Sequence, residues 1–221
     1  MRKSYEEDRG IQGLYFLGQE TALAKIFREK FSSIGHAFQS LYENALRAIE
    51  LAVTKPVFTE NNDVAELLGA KYPIVQGAMA QVTDTPLFAK AVSDAGALPF
   101  LAFANTPLHV AAELFRNTRE ILRDKSLGVG IIGLEANPER TPHMNYLKEN
   151  KPDFLTVAAG NPWQGKEMSD AGVTVFLHTP SEKLLEESVN LGLTHFIFEG
   201  RECGGLIGHY SPFVLLEHNI H

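Results

Sequence analysis

With one cysteine, Cys203, this 221-residue chain cannot close a disulfide within itself. That fits a reducing compartment and leaves stability to packing. Long apolar runs are also missing: none approaches the roughly 20 residues that span a bilayer. The first residues, Met1-Arg2-Lys3-Ser4-Tyr5-Glu6-Glu7-Asp8, pass from basic to acidic with no apolar stretch behind them, unlike a signal peptide. Positive charge is in deficit, 20 Lys and Arg against 27 Asp and Glu, for a net charge of −7. Such a chain lacks the cationic clusters that grip a phosphate backbone, so no nucleic-acid partner is expected. The eight histidines show no metal-ligand spacing, and no metal site is expected. These absences together predict a cytoplasmic protein with no membrane association. What is present, 44% hydrophobic and 21% charged residues, is the make-up of a globular protein.

Two patterns divide the chain. Residues 1–60 read as an N-terminal helical arm or linker, and residues 61–221 as the main domain. From about Gln19 to Val53 apolar residues recur in steps of three and four, among them Phe27, Phe31, Ile34, Phe38, Leu41 and Ile49. This spacing predicts a long amphipathic helix with a break near Gly35, ended by Lys55-Pro56. The barrel, a neighbouring domain or a second copy would each serve to cover its stripe.

From Tyr72 onward short apolar runs alternate with helix-like segments. The runs are Pro73–Ala80, Leu98–Ala104, Gly128–Leu134, Asp153–Ala159, Val173–His178 and His195–Glu199. Glycines at Gly96, Gly172 and Gly192 mark helix ends. Nearly continuous apolar strands alternating with helices imply a parallel sheet covered by helices. The first strand-to-helix turn, Gln76-Gly77-Ala78-Met79-Ala80-Gln81, lacks the glycine spacing of a doubly wound nucleotide-binding sheet. A TIM-type β/α barrel is therefore the predicted fold. It is incomplete, with about six of the eight units that close such a barrel.

Small or chemically distinctive residues gather where the strands end: Gln76-Gly77-Ala78-Met79, Gly128-Val129-Gly130, Ala158-Ala159-Gly160-Asn161, His178-Thr179-Pro180, and Glu199 through His209. Small residues at a barrel mouth let a flat cofactor approach the backbone. Gly204, Gly205 and Gly208 offer a nest of N–H donors for oxygen atoms.

Tyr72-Pro73-Ile74-Val75-Gln76-Gly77-Ala78-Met79-Ala80 resembles the opening strand of the nitronate monooxygenase (2-nitropropane dioxygenase) family. Glu202-Cys203-Gly204-Gly205-Leu206-Ile207-Gly208 resembles that family's glutamate–small–glycine–glycine–histidine segment. Phe198 through Gly205, together with Gly128-Val129-Gly130-Ile131-Ile132-Gly133, look closest to the branch fused into polyketide and polyunsaturated fatty-acid synthases. The likeness runs from about Val64 to Glu217. It implies a flavin mononucleotide (FMN) barrel. Such a barrel oxidises alkyl nitronates with dioxygen or, in related enoyl reductases, reduces an acyl thioester with NAD(P)H as electron donor. By the same likeness Gly77, Ala78 and Met79 line the flavin ring, and Gly130, Gly160, Gly204 and Gly205 allow close backbone approach. His178, at a strand end, is a further candidate for the mouth.

The chain departs from the family at Leu206, which stands where the family has its proton-handling histidine and cannot transfer a proton. His209, three residues on, is the candidate replacement. Missing seventh and eighth units, whose loops commonly hold phosphate in such barrels, weaken the expected grip on FMN. Cys203 reads as a packing residue rather than a nucleophile, and Glu199, Arg201 and Glu202 as a brace for their loop. Trp163 reads as either a lid residue or a surface anchor. The expected partners are a small-molecule or acyl-thioester substrate and other synthase domains. The competing expectation is a catalytically silent barrel that binds acyl chains or scaffolds its neighbours.

Overall fold

The structure, a computed structural model, describes residues 23–205 and 207–219. It divides into two compact units, Met1–Val57 and Phe58–His221.

The described part of the first unit is helical. Helix α1 spans Leu23–Lys30 and α2 spans Ile34–Thr54. The interruption falls at Phe31–Ser33, just before Gly35, because Ser33 caps the second helix: its side chain accepts from the His36 N–H at 3.0 Å. Serine in this role satisfies one of the donors left open at a helix start. Gly35 then sits inside the first turn of α2. That helix ends at Lys55, as the following proline requires.

The second unit opens with a short helix the apolar pattern does not reveal, α3 (Asp63–Leu68). It is fixed by its ends: the Asn62 side chain accepts from Ala65 N at 2.8 Å, and Gly69 closes it at φ 60°. Then follow α4 (Pro86–Asp94), β1 (Phe100–Ala104), α5 (Leu108–Leu122), β2 (Gly128–Ile132), α6 (Arg140–Glu149) and β3 (Phe154–Ala158). The chain continues through α7 (Pro162–Asp170), β4 (Thr174–Thr179), α8 (Glu182–Asn190), β5 (His195–Phe198) and α9 (Pro212–Asn219).

The five strands are all parallel and lie in the order β1-β2-β3-β4-β5. A doubly wound sheet reverses direction at a switch point. Here every strand lies beside its successor, so the chain winds one way. Right-handed crossovers then place all the helices on one face, and the other face becomes a barrel interior. The fold is part of a β/α barrel.

The alternation of side chains along the strands sorts the two faces. Leu101, Val129, Leu155, Val175 and Leu177 pack with helix residues such as Phe115, Leu147 and Met168 in the larger core. Phe100 and Phe154 point the other way and pack with Leu98 and Leu68. Phe100, Gly128 and Phe154 stand side by side in register. A Cβ on Gly128 would lie 2.4 Å from the Phe100 ring, so Gly128 makes the room that ring needs. At the strand starts Asp153 accepts from Leu127 N at 2.9 Å and from Arg119 at 2.7 Å.

The segment expected as the first strand, Pro73–Ala80, contributes a single bridge, Val75 to Leu98. Leu98 donates to the Ile74 carbonyl and Gln76 N to the Leu98 carbonyl, each at 2.9 Å. The next acceptor is a side chain: Gln76 Oε1 takes the Phe100 N–H at 3.1 Å. The glutamine thus substitutes for backbone where the segment leaves the sheet. Among the described residues no helix is long and apolar enough to cross a membrane.

Candidate functional site

The inner face narrows and then opens along the strands. Near their starts Phe100 and Phe154 fill the interior, and Phe176, in register with Thr156, packs on Phe154 with ring centroids 5.6 Å apart. Towards the strand ends the inward positions shrink to Ala102, Gly130, Thr156 and Ala158. Above the phenylalanines they leave a cavity of about 420 Å³. Residues 77–80 of the bridging segment form one wall, and Cys203, Gly204 and Gly205 the opposite rim. This volume lies within the range of small-molecule and cofactor sites, roughly 300–1,000 Å³.

Ala104 and Ala159, at the ends of β1 and β3, adopt φ of 40° and 50°. Left-handed backbone at a residue with a Cβ costs on the order of 1–2 kcal/mol and is held only where surroundings enforce it. Asn137 supplies part of that hold, its amide donating to the Ala104 and Ile132 carbonyls at 3.2 Å each.

The cavity's charged chemistry comes from two neighbouring strand ends. His178 pairs in register with Ile197, and Thr179 with Phe198, so Glu199 follows immediately at the end of β5. His178 Nδ1 and Glu199 Oε1 lie 2.6 Å apart, with side chains only 19% and 12% exposed. Both line the cavity and also a smaller adjoining pocket of about 200 Å³.

Most of the residues singled out from sequence meet at this place. Gly77, Ala78, Met79, Gly130, His178, Gly204 and Gly205 all line the one cavity, and Gly160 lines the adjoining pocket. The glycines differ in what they do. At Gly77, Gly204 and Gly205 an added Cβ would meet nothing within 4 Å. At Gly130 it would lie 2.4 Å from Ala78 Cβ, and at Gly160 it would lie 2.4 Å from Val157 and 2.6 Å from Gln164. Packing within the protein alone therefore demands glycine at 130 and 160. Gly208 is likewise used internally: its N–H donates to the Gly200 carbonyl at 3.2 Å, and a Cβ would lie 2.2 Å from the Glu199 carbonyl.

His209 is not gathered in. It is exposed, does not line the cavity, and its carbonyl accepts from Arg201 at 2.6 Å. Leu206 lies outside the described residues. Cys203 lines the rim, with its thiol 2.9 Å from the Gly200 carbonyl. Trp163 is exposed in the first turn of α7. Glu199 is legible in sequence as charged but not as the partner of His178, and in place of the expected brace Glu199 pairs with His178 while Arg201 donates to the His209 carbonyl. No group of three or more His, Cys, Asp or Glu among the described residues is arranged to hold a metal ion.

No protein-family model and no curated protein matches the chain. Among solved structures it is similar to FabK from Thermotoga maritima, at 31% identity and a TM-score of 0.64 over 71% of this chain and 49% of that one. A point mutant of the same FabK matches at 30% identity and a TM-score of 0.64, over 71% of this chain and 52% of that one. Nitroalkane oxidase from Streptomyces ansochromogenes matches at 16% identity and a TM-score of 0.62, over 72% and 57% of the two chains; this likeness shows the fold alone. The chain spans about half the length of the solved structures it matches.

Proposed function

We propose that this chain is the barrel domain of an FMN-dependent oxidoreductase of the nitronate monooxygenase type. The reaction is oxidation of an alkyl nitronate or the related reduction of an enoyl thioester with NAD(P)H. The observation that carries this reading is the cavity at the ends of successive parallel strands, walled by small residues. At three of its glycines the space a side chain would fill is open. Gly77, Ala78 and Met79 on one side, with Gly204 and Gly205 on the other, fit the edges of a flat polycyclic ring. Phe100 closes the floor against water. When bound, FMN supplies the two-electron chemistry. The chain's own residues bind it, exclude solvent and place His178 and Glu199 beside it. The resemblance of residues 72–80 and 202–208 to the nitronate monooxygenase family and the similarity to FabK support the same reading.

One observation favours a second reading, a catalytically silent barrel that binds acyl chains or scaffolds neighbouring synthase domains: Leu206 stands where the family has its histidine. Adding FMN to the purified chain and recording its visible absorbance after gel filtration separates the two. Co-eluting flavin bands are expected for the oxidoreductase. Their absence at saturating FMN overturns that reading and leaves the silent barrel.

A further inference from the structure

His178 and Glu199 end adjacent strands 21 residues apart in sequence, are both largely buried, and share a cavity wall. Imidazole has two nitrogens on opposite edges of its ring, and a hydrogen bond at one decides the proton's place on the neutral ring. A carboxylate accepts only, so Nδ1 facing Glu199 Oε1 at 2.6 Å carries the proton and donates it. The proton is thereby removed from Nε2, whose lone pair is left free. Among the described residues no hydrogen-bond partner occupies that second nitrogen. Thr156 and Cys203 are the other lining side chains able to exchange a proton, and the Cys203 thiol lies against the Gly200 carbonyl.

We propose that His178 is the proton-transfer residue of this cavity and Glu199 its positioning residue, so that the chain acts on carbon acids despite Leu206. The inference rests on the cavity being the substrate site. In the step itself Nε2 takes the proton from a carbon beside a nitro or thioester group. The C–H bond breaks, an N–H bond forms, and the electron pair moves onto the activating group. No oxidant or reductant is consumed. In D₂O the imidazolium returns a deuteron, so the net result is α-hydrogen exchange.

The probe is nitroethane in D₂O with the flavin-free protein and, separately, with FMN added, exchange being followed by proton NMR. Wild type is expected to exceed the buffer rate. His178→Gln loses on the order of 100-fold of that acceleration, and Glu199→Ala on the order of tenfold through lost orientation. The ¹⁵N spectrum of His178, at a pH where its ring is neutral, is expected to show Nδ1–H in wild type and a shift towards Nε2–H in Glu199→Ala. If that variant does not fold, Glu199→Gln serves: its amide oxygen still accepts from Nδ1–H, so the tautomer stays while the lost charge lowers the exchange rate. Exchange no faster than buffer, unchanged exchange in His178→Gln, or Nε2–H in wild type overturns the proposal. Failure of every form to hold FMN overturns the oxidoreductase reading instead, because exchange and tautomer are measured without flavin.

Discussion

Glycines that look alike in sequence divide into two kinds, and the division gives a quantitative test. On Gly128 a Cβ would stand 2.4–2.5 Å from three carbons of the Phe100 ring. Carbon contacts settle near 3.5–4.0 Å, so the ring must retreat by about 1 Å. Phe100 is 1% exposed and packed with Leu98 and Phe154, so the ring can yield only towards the cavity it floors. Overpacking of this kind costs about 1–3 kcal/mol. Replacing a strand glycine by alanine returns about 0.5–1 kcal/mol of chain entropy. Gly128→Ala should therefore lose about 0–2.5 kcal/mol. Gly204→Ala meets open space and should stay within about 0.5 kcal/mol of wild type. Its methyl projects into the proposed flavin slot, however, and should weaken FMN about tenfold, equivalent to about 1.4 kcal/mol. Urea denaturation reads the first quantity as a shift in midpoint at constant slope, and quenching of flavin fluorescence reads the second. A destabilised Gly204→Ala with unaltered FMN binding would refute the assignment of that glycine to a ligand.

Two further substitutions test the packing. Asp153→Ala should cost about 1–3 kcal/mol in urea, because the part-buried Leu127 N–H loses its acceptor. An unchanged midpoint would mean that water replaces the carboxylate there. His143 is fully buried in α6, with Nε2 2.9 Å from the Thr106 carbonyl and Nδ1 unpaired. Burial holds its pKa below the ordinary 6.5, against the opposing pull of that carbonyl and of Glu139. Between the lowered value and 6.5 the unfolded chain binds a proton that the folded one does not, so stability rises with pH across that window. Stability should accordingly fall as pH drops below about 6.5 and level off beneath the folded value. His143→Gln should flatten this part of the profile, and an identical profile in the variant would assign the dependence elsewhere.

Strand and helix order was readable because burial on both faces writes continuous apolar runs, and five of the six runs are strands. Helix ends were readable at Gly96, Gly172 and Gly192, which sit at φ of 92°, 86° and 85° where only glycine is unstrained. The bridging segment reads in sequence as a full strand, yet makes a single bridge, because composition reports burial and not which atoms supply hydrogen bonds. There the Gln76 side chain takes over from backbone. Helix α3 was invisible to periodicity because six residues make under two turns, and its capping residues are the only signal it leaves.

The same distinction explains the site. A strand end is visible in sequence, but which strand end faces which depends on register. Glu199 lies two residues from Arg201, and local charge pairing was the reading open to a one-dimensional view. Strand β5 stops at Phe198, so Arg201 turns away to the His209 carbonyl while Glu199 remains beside its neighbour. In consecutive parallel strands the residue just past the end of one lies near the last inward residue of the strand before it. With His178 in register with Ile197, Glu199 is two positions further along the same inward alternation. A histidine closing one apolar run and a glutamate closing the next therefore form a pair where a singly wound fold makes their strands neighbours in this register. In a doubly wound sheet the two runs need not be neighbours, so the pairing follows from the fold and not from either residue.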